Sequence, residues 1–157
     1  YDVEMRRKWI IVGIGNPYRQ DDRAGLVVAE RLRDGSLDCQ VESLMAVGFE
    51  ILEMIRGYER AIIVDACHFG MAPGAVVEVP VDELEPIRTP VNSHAITLGT
   101  VLKTGYVCFP NEMPTDIRIM LIEVKDIGEC TQQMSPEVER AVEAVVDRVT
   151  TMVAAMA

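Results

Sequence analysis

Lys8-Trp9-Ile10-Ile11-Val12-Gly13-Ile14-Gly15-Asn16-Pro17, running on to Asp21-Asp22-Arg23-Ala24-Gly25, is the stretch that decides the fold class. Residues 8–13 form a continuous apolar, β-branched run that stops at glycine, the pattern of a strand buried on both faces in a parallel sheet. After a turn, Asp22 to Arg33 places Ala24, Val27, Val28 and Leu32 near helical spacing, and Asp34-Gly35-Ser36 ends the run. The same alternation continues outward. Cys39 to Leu44 reads as a second strand and Phe49 to Ile55 as a short helix closed by Gly57. Ala61 to Val64 is a third strand running into Asp65, and Ala75 to Val79 a fourth after the Pro73-Gly74 turn. A helix is expected from a cap at Asn92 or Ser93 to Lys103, with Gly105 just past its end, and Ile117 to Val124 reads as the last strand.

The final helix has the clearest signature. Ser135 precedes it as a cap, Pro136 stands where a missing N–H costs nothing, and Glu137 complements the dipole. Val138, Ala141, Val142, Val145, Val146, Val149, Met152 and Val153 then make an apolar stripe whose role is core packing. Alternating strands and helices imply an α/β fold of three layers: an about five-stranded, mostly parallel twisted sheet with helices on both faces. Val79 to Pro90 and Cys108 to Pro114 read as exposed connections.

The chain has 157 residues, the size of one compact domain, taken here as residues 5–157. Met5 followed by Arg6-Arg7-Lys8 resembles a native start, and residues 1–4 receive no functional weight. Fifteen basic against 25 acidic residues give a net charge of −10, which disfavours nucleic-acid and membrane-surface partners. No apolar run approaches the ~18 residues needed to span a bilayer. A cytoplasmic protein without a membrane role is the expectation. Cys39, Cys67, Cys108 and Cys130 are widely spaced with no Cys-x-x-Cys pair, which suggests free thiols and no zinc knuckle.

Ligands of such sheets bind beyond the carboxyl ends of the strands. Three separate crossings deliver polar groups to that edge: Asp22 or Asp21 after the first strand, Asp65 after the third, and His94 before a later helix. Two carboxylates and an imidazole suit a divalent metal such as nickel or zinc, and equally suit metal-free general acid/base work. Each residue also has a plain structural explanation as a cap, a strand end or a helix start. It is their convergence, with only two histidines in the chain, that favours chemistry.

Gly13 and Gly15 suggest a nucleotide loop, but Tyr18 replaces the third glycine and no acidic residue is suitably placed after the second strand, so a dinucleotide site is not expected. A tight turn with close backbone approach accounts for these glycines. Cys67-His68 has the makings of a nucleophile pair, yet neighbours in an extended segment point to opposite sides, so Cys67 is expected to pack and His68 to lie at the surface.

Ile11-Val12-Gly13-Ile14-Gly15-Asn16-Pro17 with Asp21-Asp22-Arg23-Ala24-Gly25 resembles the opening of the hydrogenase maturation protease family. The resemblance continues through Ile62 to Ala66, the Pro73-Gly74 turn, Ser93-His94, Ile122-Glu123-Val124 and Met134 to Val138, so it spans about residues 9 to 150. It implies a cytoplasmic endopeptidase that removes the C-terminal extension of a nickel-loaded [NiFe] hydrogenase large-subunit precursor. The family's metal-contacting positions fall on Asp22, Asp65 and His94, which makes these three both the implied catalytic and the implied metal-contacting residues. Asn16 and Asp21 are second-choice contributors that shape the loop. The nickel is implied to belong to the substrate, and no organic cofactor is implied. The family has also been grouped with aspartic peptidases, so an aspartic-type and a metal-assisted mechanism both stand open.

Leu44-Met45-Ala46-Val47-Gly48 departs from the Gly-Gly-Thr-like turn common in that family, which alters substrate contacts on that side. A non-catalytic nickel-binding maturation chaperone is the main alternative. Peptidyl-tRNA hydrolase shares the Gly-x-Gly-Asn-Pro turn, but this chain has Gln20-Asp21-Asp22-Arg23 where that enzyme has a histidine, and its acidity does not suit tRNA.

Overall fold

The computed structural model describes residues 7–84, 93–125 and 133–155. Five strands, β1 (Arg7–Ile14), β2 (Gln40–Leu44), β3 (Tyr58–Cys67), β4 (Val76–Val79) and β5 (Asp116–Glu123), form one sheet in the order β2-β1-β3-β5-β4. All neighbours are parallel except β4, which runs antiparallel to β5 at the edge. The mostly parallel α/β architecture expected from the sequence is therefore present. Among the described residues, the helices α1 (Ala24–Asp34), α2 (Glu50–Ile55), α3 (Ser93–Cys108) and α4 (Pro136–Ala155) accompany the sheet.

The unbroken apolar runs are explained by burial on both sides of the sheet. Ile10, Val12 and Ile14 of β1 join Ala61 and Ile63 of β3 in a core under α2 and α3, with Ile51, Ile55, Leu98 and Leu102. The alternate residues Trp9, Ile11, Ile62 and Val64 pack under α1 and α4, against Val28, Leu32, Val138, Val142 and Val149. The period-2 strand and the period-3.6 helix stripes thus meet where each predicts. Across the second face, Arg31 of α1 also bonds Glu139 of α4.

Several boundaries move, for identifiable reasons. Residues Gln20–Arg23 form a separate 3-10 turn, so α1 begins at Ala24 rather than at Asp22. The third strand runs from Tyr58 to Cys67, so Asp65 lies inside it rather than beyond its end. Gly105 does not end the third helix, which continues to Cys108. A β-carbon at Gly105 would sit 2.6 Å from Leu52 and 2.7 Å from Met113, so this glycine admits close packing against α2 and the following loop. In the expected connections Leu84 and Met113 are core residues while most other described positions are exposed or half-buried, and residues 85–90 lie outside the described residues. Asn92 lies outside the described residues, as does Cys130. Among the described residues no helix is long and apolar enough to cross a membrane.

Candidate functional site

The chain passes from β1 to β2 on one side and to β3 on the other, so the carboxyl ends of β1 and β3 flank the point where the winding reverses. Each candidate residue can be followed to that edge. After Ile14 the backbone is held in a compact loop. Gly15 N–H donates to the Leu44 carbonyl (3.0 Å), Asn16 N–H to the Asp22 carbonyl (3.1 Å), and Asp22 N–H to the Arg19 carbonyl (2.8 Å). The Asn16 side chain accepts from Tyr18 N–H at 2.9 Å, an Asx-type turn of the kind asparagine favours. The glycines here are steric necessities. A β-carbon on Gly13 would lie 2.1 Å from the Gly25 carbonyl oxygen, and one on Gly15 would lie 2.3 Å from that of Asp22. Gly13 serves the close approach of β1 to α1, and Gly15 that of the loop to the Gln20–Arg23 turn.

The sequence left Asp21 and Asp22 undecided, and their surroundings now differ sharply. Asp21 is fully buried and accepts three hydrogen bonds: Ser135 N–H at 2.7 Å, Ser135 Oγ–H at 2.8 Å and Lys125 N–H at 2.9 Å. It ties the β1–α1 loop to the exit of β5 and the start of α4, a structural task. Asp22 is half-buried in the Gln20–Arg23 turn, and that turn packs against β3. Gln20 reaches a φ of 21° in this turn.

Asp65 is 1% exposed and stands opposite Leu121 of β5. Alternation along β3 places it with Ala61, Ile63 and Cys67, on the sheet face that α2 and α3 cover. One of its oxygens accepts the Ala66 N–H at 2.8 Å. His94 is the second residue of α3, the helix whose Leu98, Val101 and Leu102 pack on that same face. The disposition of the His94 side chain lies outside the described residues. The backbone thus brings the turn of Asp22 against the strand of Asp65, and starts the His94 helix on the face Asp65 shares. Two carboxylates and an imidazole are a donor set that suits nickel, with oxygen and nitrogen ligands in place of thiolates.

Cys67 is buried, and burial pushes its thiol well above the usual value, with the nearby charges of Glu123 and Asp65 adding to the shift. A thiol so disfavoured as thiolate is a poor nucleophile, and its neighbour His68 is exposed. The expected division between a packing cysteine and a surface histidine is therefore observed. Glu123 is the buried carboxylate that sequence reasoning passed over. It is 1% exposed, and its side chain accepts Phe69 N–H at 2.8 Å and Met71 N–H at 2.7 Å. The signal was available: a carboxylate near the end of the apolar run Ile119-Met120-Leu121-Ile122 needs buried donors to be tolerated.

Known proteins bear on this edge. A family model described as hydrogenase maturation protease matches residues 44–152. The protein MJ0253 of Methanocaldococcus jannaschii, named for the same family, is 31% identical over 105 residues, which cover 63% of this chain and 68% of that protein. The hydrogenase maturating endopeptidase HybD from E. coli superposes with a TM-score of 0.75 at 21% identity, over 90% of this chain and 89% of that one. The [NiFe] hydrogenase maturation protease HycI from Thermococcus kodakarensis KOD1 gives 0.71 at 22% identity, over 94% and 93%. At these identities the two structures speak for the fold, and the family model and the sequence relative speak for kinship.

Proposed function

Because the chain belongs to the hydrogenase maturation protease family, whose members are hydrolases that process the large subunit of [NiFe] hydrogenases, we propose that it removes the C-terminal extension of such a precursor once nickel is loaded. Asp22, Asp65 and His94 are the residues assigned to this work, acting in the cytoplasm. The observation that carries the assignment is the contrast between the two adjacent aspartates. Asp21 is fully buried and holds Ser135 and Lys125 through three hydrogen bonds, whereas Asp22 is half-buried in a turn packed against the strand of Asp65.

Processing in this family is nickel-dependent, and in this reading the nickel arrives as part of the substrate. Carboxylate oxygens of Asp22 and Asp65 and an imidazole nitrogen of His94 would contact that centre and register whether it is present. Hydrolysis of the peptide bond needs a water stripped of a proton and an amine leaving group that gains one. The Asp65 carboxylate would take up that proton and return it to the amine. His94 would orient or exchange the proton at its ring nitrogen.

The test is to incubate the protein with its cognate large-subunit precursor, nickel-loaded and nickel-free, and to weigh the products. Loss of one C-terminal fragment from the loaded precursor alone is expected. Stable binding of loaded precursor without shortening, while a second processing enzyme cuts the same sample, would replace the protease with a maturation chaperone.

A further inference from the structure

The loop from Cys67 to Ala75 leaves β3 two residues after Asp65, and most of its backbone hydrogen bonds go to one residue of β5, alongside an internal bond from Ala75 N–H to the Ala72 carbonyl. Phe69 N–H reaches both carboxylate oxygens of Glu123, at 2.8 and 3.1 Å, and Met71 N–H reaches Oε1 at 2.7 Å. The main chain of Glu123 completes the frame: its N–H donates to the Ala75 carbonyl and its carbonyl accepts from Gly74 N–H, both at 2.8 Å. Val124 N–H donates to the Cys67 carbonyl at 3.0 Å. Gly74, at a φ of 84°, lies so close to Glu137 of α4 that a β-carbon would be 2.5 Å from its carbonyl oxygen.

A buried carboxylate is a costly way to hold a loop, because its desolvation must be offset by donors aimed at it. Here the donors are backbone N–H groups turned inward, with Phe69 and Met71 tucked against the core under α2 and α3. The exposed positions of the same loop are His68, Gly70, Ala72 and Pro73, of which only His68 carries a polar side chain. The loop is therefore a fixed wall on the carboxyl edge, next to Asp65, presenting one imidazole.

We propose that Glu123 is a positioning residue that fixes the 68–71 loop as one wall of the substrate cleft, and that His68 is the side chain through which this wall contacts the substrate chain. The inference rests on the protease reading above. Glu123 touches no substrate; it acts through the loop. An exposed imidazole, donor at one ring nitrogen and acceptor at the other, suits hydrogen bonds to the backbone of an extended peptide.

Four forms of the full-length protein test it: Glu123→Ala, Glu123→Gln, His68→Ala and the His68→Ala/Glu123→Ala pair. The readouts are amide exchange at Phe69 and Met71 and steady-state processing of the nickel-loaded precursor. Glu123→Ala is expected to speed exchange at both amides at least about tenfold, with β1 and α4 amides unchanged. It is expected to raise KM about tenfold with kcat within about twofold, the mark of lost binding rather than lost chemistry. Glu123→Gln keeps an oxygen where Oε1 receives both N–H groups and should restore most of the KM. His68→Ala should raise KM, and adding Glu123→Ala to it should add little, because both act through one wall.

A fall in kcat at constant KM, or fully additive effects in the pair, would overturn the inference. Unchanged exchange at Phe69 and Met71 would overturn it whether or not the precursor is cut. Absence of cutting by the unaltered protein would instead count against the protease reading. Should Glu123→Ala fail to fold, Glu123→Gln and the exposed His68→Ala still decide the matter, since a KM unchanged in His68→Ala removes the contact.

Discussion

Replacing Asp21 by alanine should damage stability far more than the same change at its neighbour Asp22. Asp21 is fully buried and receives three donors. In the alanine variant the Ser135 hydroxyl can rotate toward another partner and Lys125 N–H, on an exposed residue, can recruit water. Ser135 N–H, at a residue 6% exposed, has neither escape. One orphaned buried donor costs about 1–3 kcal/mol and each bond exchanged for solvent about 1 kcal/mol, so the sum is roughly 3–5 kcal/mol. With a typical urea slope of about 2 kcal/mol/M, that is a midpoint shift of roughly 1.5–2.5 M. Set against the ~5–15 kcal/mol usual for a domain, it is a large fraction of the whole. Asp22→Ala, at a half-buried position, should cost clearly less than Asp21→Ala. Equilibrium urea unfolding followed by far-UV circular dichroism measures both. An Asp21→Ala midpoint within about 0.3 M of the unaltered protein, or an Asp22→Ala loss as large as that of Asp21→Ala, would refute the division of labour.

Gly105→Ala should destabilise by about 1–3 kcal/mol through overpacking, as its β-carbon enters the space of Leu52 and Met113; a neutral thermal melt would show that α3 and α2 do not pack so closely. At pH 8 iodoacetamide should label the exposed Cys108 and spare Cys67 in the native protein, and peptide mapping that finds both modified would contradict the buried thiol. The same thiol gives a pH dependence with a definite sign. Native Cys67 keeps its proton where the unfolded thiol, near its ordinary value of about 8.5, releases it, so the native state binds more protons and stability falls as pH rises above about 8.5. Cys67→Ala should flatten that alkaline slope in urea titrations, and an unchanged slope would assign it elsewhere.

Much of the fold is legible in the sequence because burial writes itself into local pattern. The run 9–14 and the stripe from Val138 to Val153 are apolar at the intervals their geometry requires, and both are core elements. The misread boundaries are places where one residue type serves two ends. Gly105 looks like a helix terminator, and is instead the smallest residue at a helix–helix contact. Tyr58 opens β3 as a buried core residue, but the exposed Glu59 and half-buried Arg60 that follow interrupt the apolar pattern of a strand. At the candidate site, Asp22 follows β1 and Asp65 stands near the end of β3, but β4 runs antiparallel, so its end does not lead to that edge and His94 is nominated only on a parallel reading of that strand. What separates Asp21 from Asp22 is not local: the partners of Asp21 lie 104 and 114 residues further along the chain. The same distance hides Glu123, whose donors at Phe69 and Met71 are 54 and 52 residues away.

Asp22, Asp65 and His94 are proposed to work together on a hydrogenase large-subunit precursor. Intact-mass analysis of nickel-loaded precursor after incubation with the unaltered protein and with Asp22→Asn, Asp65→Asn and His94→Ala tests it most directly, each variant first shown to be folded. The account predicts one C-terminal fragment released by the unaltered protein and a loss of at least about a hundredfold in rate for every variant. A folded variant of any of the three that shortens the precursor at the unaltered rate would contradict it.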